Sequence, residues 1–388
     1  MRRWVICAVC ILAAAVLNAF TRTAPSLILL CTSVFVPAAS VILALLSVPG
    51  ISVTLEVPVV MRKGSLTRCV LSVENRSMIP VLHIAMTLGI RNNLTGQEEY
   101  IPLDIAASPG EKYELPFDFD SMYCGQFRFS CNDIKIYDFL RLFGFKKTQS
   151  DQPNQLKRLM PPETFLMEIS LLGNDSSSGG NEVFTVDRKG QDHTEPFQIR
   201  DYVEGDSIKS IHWKLSNKFD RYIVTDPSLE LERSLLLIWD SGAIPADAPP
   251  EVPDALAEAF VSVCLALTGD DVPYSIAWQS ADSGEIVIRD VDVIDDVYDS
   301  IPEIMYMSTG EQRHSMITEF LQVSGMRRFP TIAYFAGQVP AELDTLAQIG
   351  RITVFLCGTD AGAADDGAHN YQIFSPLNYT SILRNVKI

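Results

Sequence analysis

Arg200, Asp206, His212 and Lys214 place a guanidinium, a carboxylate, an imidazole and an ammonium within fifteen residues. Such a set can receive a ligand or a partner. It can equally close on itself as an internal staple, with Arg200 forking to Asp201 or Asp206 over a buried Trp213. The residues alone leave both readings open. Catalytic use of His212 would require a nucleophile or a metal beside it, and the sequence offers neither. The five histidines (His83, His193, His212, His314, His369) share no paired spacing, and no G-x-x-x-x-G-K-[ST], G-x-S-x-G or H-E-x-x-H pattern occurs. Cys7-x-x-Cys10 lies inside an apolar run without the further ligands that zinc takes, and reads as small residues for helix packing. Asp290, Asp292, Asp295, Asp296 and Asp299 lack the glycine and spacing of a calcium loop, and read as a solvated helix face. The expectation is a non-enzyme without cofactors.

The segment holding the first set alternates like a half-buried strand at Phe197 to Arg200. It then turns at Glu204-Gly205-Asp206-Ser207, where Gly205 can adopt positive φ without steric cost and Asp206 can bond backbone amides ahead of it. Ile211 and Trp213 face one way, His212 and Lys214 the other. Beyond it, apolar strands are predicted at 235–239, 274–278, 331–335 and 352–356, with helices at 253–267, 291–306, 311–323 and 339–348. Leu256, Phe260, Val263 and Leu267 share one face of the first helix. This alternation implies a parallel sheet covered on both faces.

Residues 51–150 read as short period-two strands separated by turn clusters, which predicts an all-β sandwich of the immunoglobulin-like type. Phe117, Phe119, Phe127 and Phe129 alternate with polar residues and belong to its core. Asn75-x-Ser77 and Asn93-x-Thr95 match a glycosylation pattern of low specificity. Residues 173–181 have linker composition.

The first fifty residues contain two apolar runs, Trp4–Phe20 of 17 residues and Ser26–Val48 of 23, separated by a polar turn. About 20 residues cross a bilayer as a helix, so the pair predicts a transmembrane hairpin. Arg2, Arg3, Arg62, Lys63 and Arg68 flank the outer ends against Arg22 in the turn, which predicts a multi-pass cell-membrane protein with cytoplasmic soluble domains. The rival reading, a cleaved signal peptide at residues 1–20, lacks a convincing small-x-small site. Five cysteines outside the runs, without disulfide spacing, fit a reducing compartment. Residues 51–388 carry 28 basic against 48 acidic side chains, a net charge of −20 that repels nucleic acid.

Arg200, Tyr202, Gly205, Asp206, Lys209, Ile211, His212, Trp213, Lys214 and Ser216 spell R-x-Y-x-x-G-D-x-x-K-x-I-H-W-K-x-S. This resembles the signature of the bacterial family called domain of unknown function 58. Lys209 and Asn217 stand where that family usually has Arg and Ala. The resemblance extends along the chain, although Tyr123 to Phe127 and Tyr137 to Phe145 are degenerate versions of the R-G-x-Y and D-P-F-G-L-F stretches that end the family's sandwich. It implies an α+β multidomain fold. The parts are a transmembrane hairpin (1–50), a sandwich (51–150), a connecting strand and linker (151–182), the signature segment (183–233) and an α/β domain resembling von Willebrand factor A (234–388). Such α/β domains hold Mg²⁺ on D-x-S-x-S with a later Thr and Asp. Here Asp240 and Ser241 remain, Gly242 and Ile244 replace the serines, and Thr268, Asp270, Asp271, Thr359 and Asp360 cannot be assigned to the site. Hard cations want several oxygens, so no metal is expected at this degenerate site. The resemblance also implies MoxR-type AAA+ ATPases and transglutaminase-like membrane proteins as partners. The resulting expectation is a membrane-anchored, cytoplasmic-facing interaction scaffold. The alternative is an enzyme of unrecognised chemistry using the signature's polar residues.

Overall fold

Two helices open the chain, α1 (Arg2–Thr21) and α2 (Ala24–Ser47), both long and apolar enough to cross a membrane. In this computed structural model, residues 2–59, 61–147, 155–171, 192–201, 216, 223–228, 235–280, 283–306, 315–324, 329–358 and 369–388 are described. Polar side chains around the turn of the hairpin are satisfied within it. Ser26 Oγ donates to Asn18 Oδ1 at 2.9 Å across the turn, and Thr21 Oγ1 donates to the Leu17 carbonyl. Cys7 is half-buried and Cys10 exposed, so the packing reading suits Cys7 and not Cys10.

Eight strands follow in two facing sheets. One contains β1 (Ile51–Glu56), β2 (Thr67–Asn75) and β5 (Lys112–Phe119). The other contains β3 (Val81–Asn92), β4 (Glu98–Ala107), β6 (Gly125–Tyr137), β7 (Gly144–Lys146) and β8 (Gln155–Met160). All their pairings are antiparallel. Alternate residues from both sheets meet between them, among them Ile51, Val53, Leu71 and Val73 against Ile84, Met86 and Ile136. Phe119 packs edge-on to Phe127 and Phe129 as expected, and Phe117 packs at the margin. Because β8 pairs with β6 from Gly125↔Met160 to Ser130↔Gln155, the sheet runs past residue 150 into the predicted connector. Asn75 is fully buried and bonds the Ile79 and Ala107 carbonyls, so its role is to shape a turn.

The two ends of these sheets face different neighbours. Ile51 lies opposite Asn75, Val81 opposite Ala107, and His83 opposite Tyr137. The β2–β3, β4–β5 and β6–β7 loops therefore gather at the end where α2 enters. The β1–β2, β3–β4 and β5–β6 loops gather at the other end, roughly 30 Å away for a nine-residue strand such as β2.

The remainder is an α/β unit whose six-stranded sheet runs β14-β13-β12-β15-β16-β17. Its strands are β12 (Leu235–Trp239), β13 (Tyr274–Gln279), β14 (Ile286–Val291), β15 (Thr331–Ala336), β16 (Arg351–Cys357) and β17 (Asn370–Phe374). All pair in parallel except β14, antiparallel to β13. Helices α3 (Glu251–Gly269), α4 (Ile294–Ile304), α5 (Ile317–Val323) and α6 (Leu343–Leu346) cover it. Leu235, Leu237 and Trp239 point into one core layer with α3 and α4, while Leu236 and Ile238 point into the other with α5 and α6. The four predicted strands are all present. Two further strands were not expected: β14, which takes the start of the predicted 291–306 helix, and β17.

By length and composition α3 could also cross a membrane, but 78% of its apolar window is buried inside this unit. It is apolar nearly all round because the sheet covers one face. On the other lie α7 (Tyr379–Ile382) and the small parallel pair β9 (Glu168–Ser170) and β18 (Asn385–Lys387).

Candidate functional site

Asp240 follows β12 at the carboxyl edge of the sheet. There the strand order reverses, the position where open α/β sheets bind ligands. The residue is 1% exposed, and both its oxygens are engaged by donors. Oδ1 accepts from the Gly242 and Ala243 amides at 2.9 and 3.2 Å, which closes the short turn Ser241–Ala243. Oδ2 accepts from Ser315 Oγ at 2.7 Å, the Met316 amide at 3.1 Å and the Tyr334 hydroxyl at 2.5 Å. Burial pushes the Asp240 carboxyl up from its usual range, while the bonds from Tyr334, Ser315, Met316 and Ala243 pull against it. Burial likewise raises the Tyr334 hydroxyl, reinforced by the carboxylate it faces.

This arrangement does not fit a Mg²⁺ ion. Each partner of Asp240 is an N–H or O–H donor already aimed at it, Gly242 has no side-chain oxygen, and Ile244 is buried in the core. Among the described residues, no group of three or more His, Cys, Asp or Glu side chains could hold a metal. Millimolar Mg²⁺ is accordingly expected to leave the thermal transition of the full chain unmoved. A saturable rise in Tm would overturn this reading of Asp240 and Ser241.

Of the signature residues, Arg200 lies in strand β10 (Asp192–Asp201), where it pairs with Val224 of β11 (Ile223–Ser228). That antiparallel pair agrees with the alternation at Phe197 to Arg200. Tyr202, Gly205, Asp206, His212, Trp213 and Lys214 lie outside the described residues, as do Thr359 and Asp360.

A second cluster, missed in the sequence, joins the sandwich to the α/β unit. Asp254 and Glu258 stand one turn apart on α3, 7% and 1% exposed. Lys63, from the β1–β2 loop, places its ammonium 2.6 Å from each. The Cys124 amide donates to Asp254 at 2.7 Å, Tyr379 donates to Glu258, and Tyr123 donates to Glu251 at 2.6 Å. Burial alone would lower the Lys63 pKa, but its bonds to the two carboxylates outweigh that and hold it above the usual lysine value. Nearby, Arg128 donates to the Tyr306 hydroxyl at 2.9 Å and Gln126 bonds the Pro302 carbonyl. The available signal was a pair of acids at i, i+4 inside an otherwise apolar helix.

Asp290 and Asp296 of the acidic cluster also do structural work: Asp290 accepts from Ser275, and Asp296 accepts from the Asp292 and Val293 amides at the start of α4.

No protein-family model matches the chain, and no curated protein matches it. Among solved structures, the CARDB domain of a Pyrococcus furiosus protein, solved in complex with di-metal ions, is similar over 28% of this chain and 86% of its own. The identity is 15% and the TM-score 0.22. A β-glucosidase from Erythrobacter marinus is 11% identical over 28% of this chain and 15% of its own, with a TM-score of 0.21. Native α-2-macroglobulin from Escherichia coli, from domain MG7 to the C-terminus, is 17% identical over 30% of this chain and 20% of its own, also at 0.21.

Proposed function

We propose that this chain is a membrane-anchored interaction scaffold of the domain of unknown function 58 type. It has an immunoglobulin-like sandwich as spacer and a von Willebrand factor A-like unit as the docking body. The observation that carries the reading is the two-ended sandwich. One end grips α2 and the turn that follows it: Ser40 Oγ donates to Asp138 at 2.8 Å, and Lys147 bonds the Val48 and Pro49 carbonyls just past the helix. The other end grips α3 through Lys63, Asp254 and Glu258. A body fixed at both ends presents the α/β unit at a set distance from the bilayer. The strand order 3-2-1-4-5-6, counted within the unit, supports the doubly wound class to which a von Willebrand factor A-like domain belongs. The internal satisfaction of Asp240 favours protein docking over ion-dependent binding.

The partners we propose are a MoxR-type AAA+ ATPase and a transglutaminase-like membrane protein. The full chain, tagged and extracted from membranes in mild detergent, is expected to retain the ATPase, and the Arg200→Ala variant to retain less. Purification of the folded chain without that ATPase, even after cross-linking in the membrane, would count against the scaffold. The flanking basic residues favour a cytoplasmic body. A reporter fused after Ile388 is therefore expected to be active only on the cytoplasmic side, and activity only outside would reverse the topology.

A further inference from the structure

The loop between β6 and β7 is built to display apolar side chains beside α2. Asp138 is fully buried at its base. Its carboxylate accepts from the Leu140 amide at 3.1 Å, the Phe143 amide at 2.7 Å and Ser40 of α2 at 2.8 Å. The backbone closes the loop again, with Asp138 and Phe143 bonded and Arg141 donating to the Asp138 carbonyl. Arg141 adopts φ +57°, a left-handed conformation uncommon outside glycine, and its guanidinium lies over Tyr137 while pairing with Asp104. A loop fixed this firmly nevertheless leaves Phe139, Leu140 and Phe143 at 37%, 41% and 53% exposure. At the same end of the sandwich, Met78 is 96% and Leu82 47% exposed.

The hydrogen bond to Ser40 sets the depth of this rim. Ser40, Ala44 and Ser47 are the small buried residues of the last turns of α2, spaced to share one face. Ser40 lies sixteen residues beyond Ala24, about 24 Å along the helix. The hydrocarbon core is about 30 Å thick. With the hairpin turn at one surface, Ser40 falls just inside the other, and the loop bonded to it stands at the boundary between headgroups and acyl chains. There large apolar side chains are stable where water would penalise them.

We infer that the 138–143 loop, with Met78 and Leu82, is a lipid-contacting rim seated in the bilayer that holds α1 and α2. The bilayer is the occupant because the rim continues the lipid-facing surface of the hairpin. The inference rests on the anchoring reading but not on which side the body faces.

The test uses the full chain with Cys7, Cys10, Cys31 and Cys131 changed to Ala, reconstituted in phosphatidylcholine vesicles. Single cysteines at Leu140, Phe143, Phe35 or Leu66 carry an environment-sensitive fluorophore, and phosphatidylcholine spin-labelled near the headgroup or, in a parallel set of vesicles, near the end of the acyl chain, where Phe35 lies, acts as quencher. Phe35 reports α2, and Leu66 the opposite end of the sandwich. Quenching at least twofold at 140 and 143, with none at 66, is the expected result. Quenching at 35 alone would overturn the rim while leaving the anchor standing. No quenching at 35 would overturn both. Shielding of 140 and 143 from aqueous iodide without lipid quenching would assign the rim to a protein partner or a second copy, and would also overturn the inference.

Discussion

Lys63→Met is expected to lower the stability of the full chain by about 3–5 kcal/mol, the usual effect of stranding buried charge. Such a loss is a large part of a typical domain stability of roughly 5–15 kcal/mol. Without the ammonium, Asp254 and Glu258 face each other one turn apart, both nearly inaccessible. The damage falls at the junction, so scanning calorimetry should show the sandwich and the α/β unit unfolding in separate steps. Neutralising all three groups, with Lys63→Met, Asp254→Asn and Glu258→Gln together, should recover most of the loss, because a buried ion pair and its uncharged replacement are often close in stability. The pH dependence has a definite sign. The folded pKa of Lys63 lies above its unfolded value of about 10.4. Its contribution is therefore complete below that value and is lost as alkaline pH rises through the folded pKa. A Lys63→Met chain within about 1 kcal/mol of wild type, melting in a single transition, would mean that the junction is held by packing alone.

That junction illustrates what the sequence could and could not reveal. The two apolar runs, the alternating strands of residues 51–137 and the apolar strands at 235–239, 274–278, 331–335 and 352–356 were legible because each is a local pattern with its own period. Strand β14 was not, since Ile286 to Val291 sits at a half-buried edge and its residues read equally as the approach to a helix. The charge cluster was illegible for a different reason. Lys63 meets carboxylates 191 and 195 residues away, and no local spacing encodes such a meeting. Asp138 was hidden in the same way, because its partner Ser40 lies 98 residues upstream within a run that reads as purely apolar. Asp240 was singled out through the resemblance, as the one aspartate left of a D-x-S-x-S stretch after the first strand of the α/β unit. Its partners were not, because Ser315 and Tyr334 become its neighbours only through the sheet order.

Asp240→Ala is expected to cost about 3–5 kcal/mol, comparable to removing one partner of a buried charge network. The substitution deprives five donors at once, and each buried donor left unpaired costs roughly 1–3 kcal/mol before relaxation or entering water offsets it. Two consequences separate this from loss of packing. Tyr334→Phe alone should cost about 1.5–3 kcal/mol, the value of one hydrogen bond to a charged group. In the Asp240→Ala background the same change should be neutral or stabilising, because it removes a donor already orphaned. A double-mutant cycle measures that reversal directly. The pH dependence should also run opposite to that of an ordinary salt-bridged carboxylate. Burial holds the folded pKa of Asp240 above its unfolded value of about 3.9, so the folded state binds the extra proton. Its contribution to stability is smallest above the folded pKa and grows as pH falls through it. The penalty of Asp240→Ala should therefore widen from neutral toward acid pH in chemical denaturation. A penalty that narrows would mean that the five donors outweigh burial and hold the group as a stabilised anion.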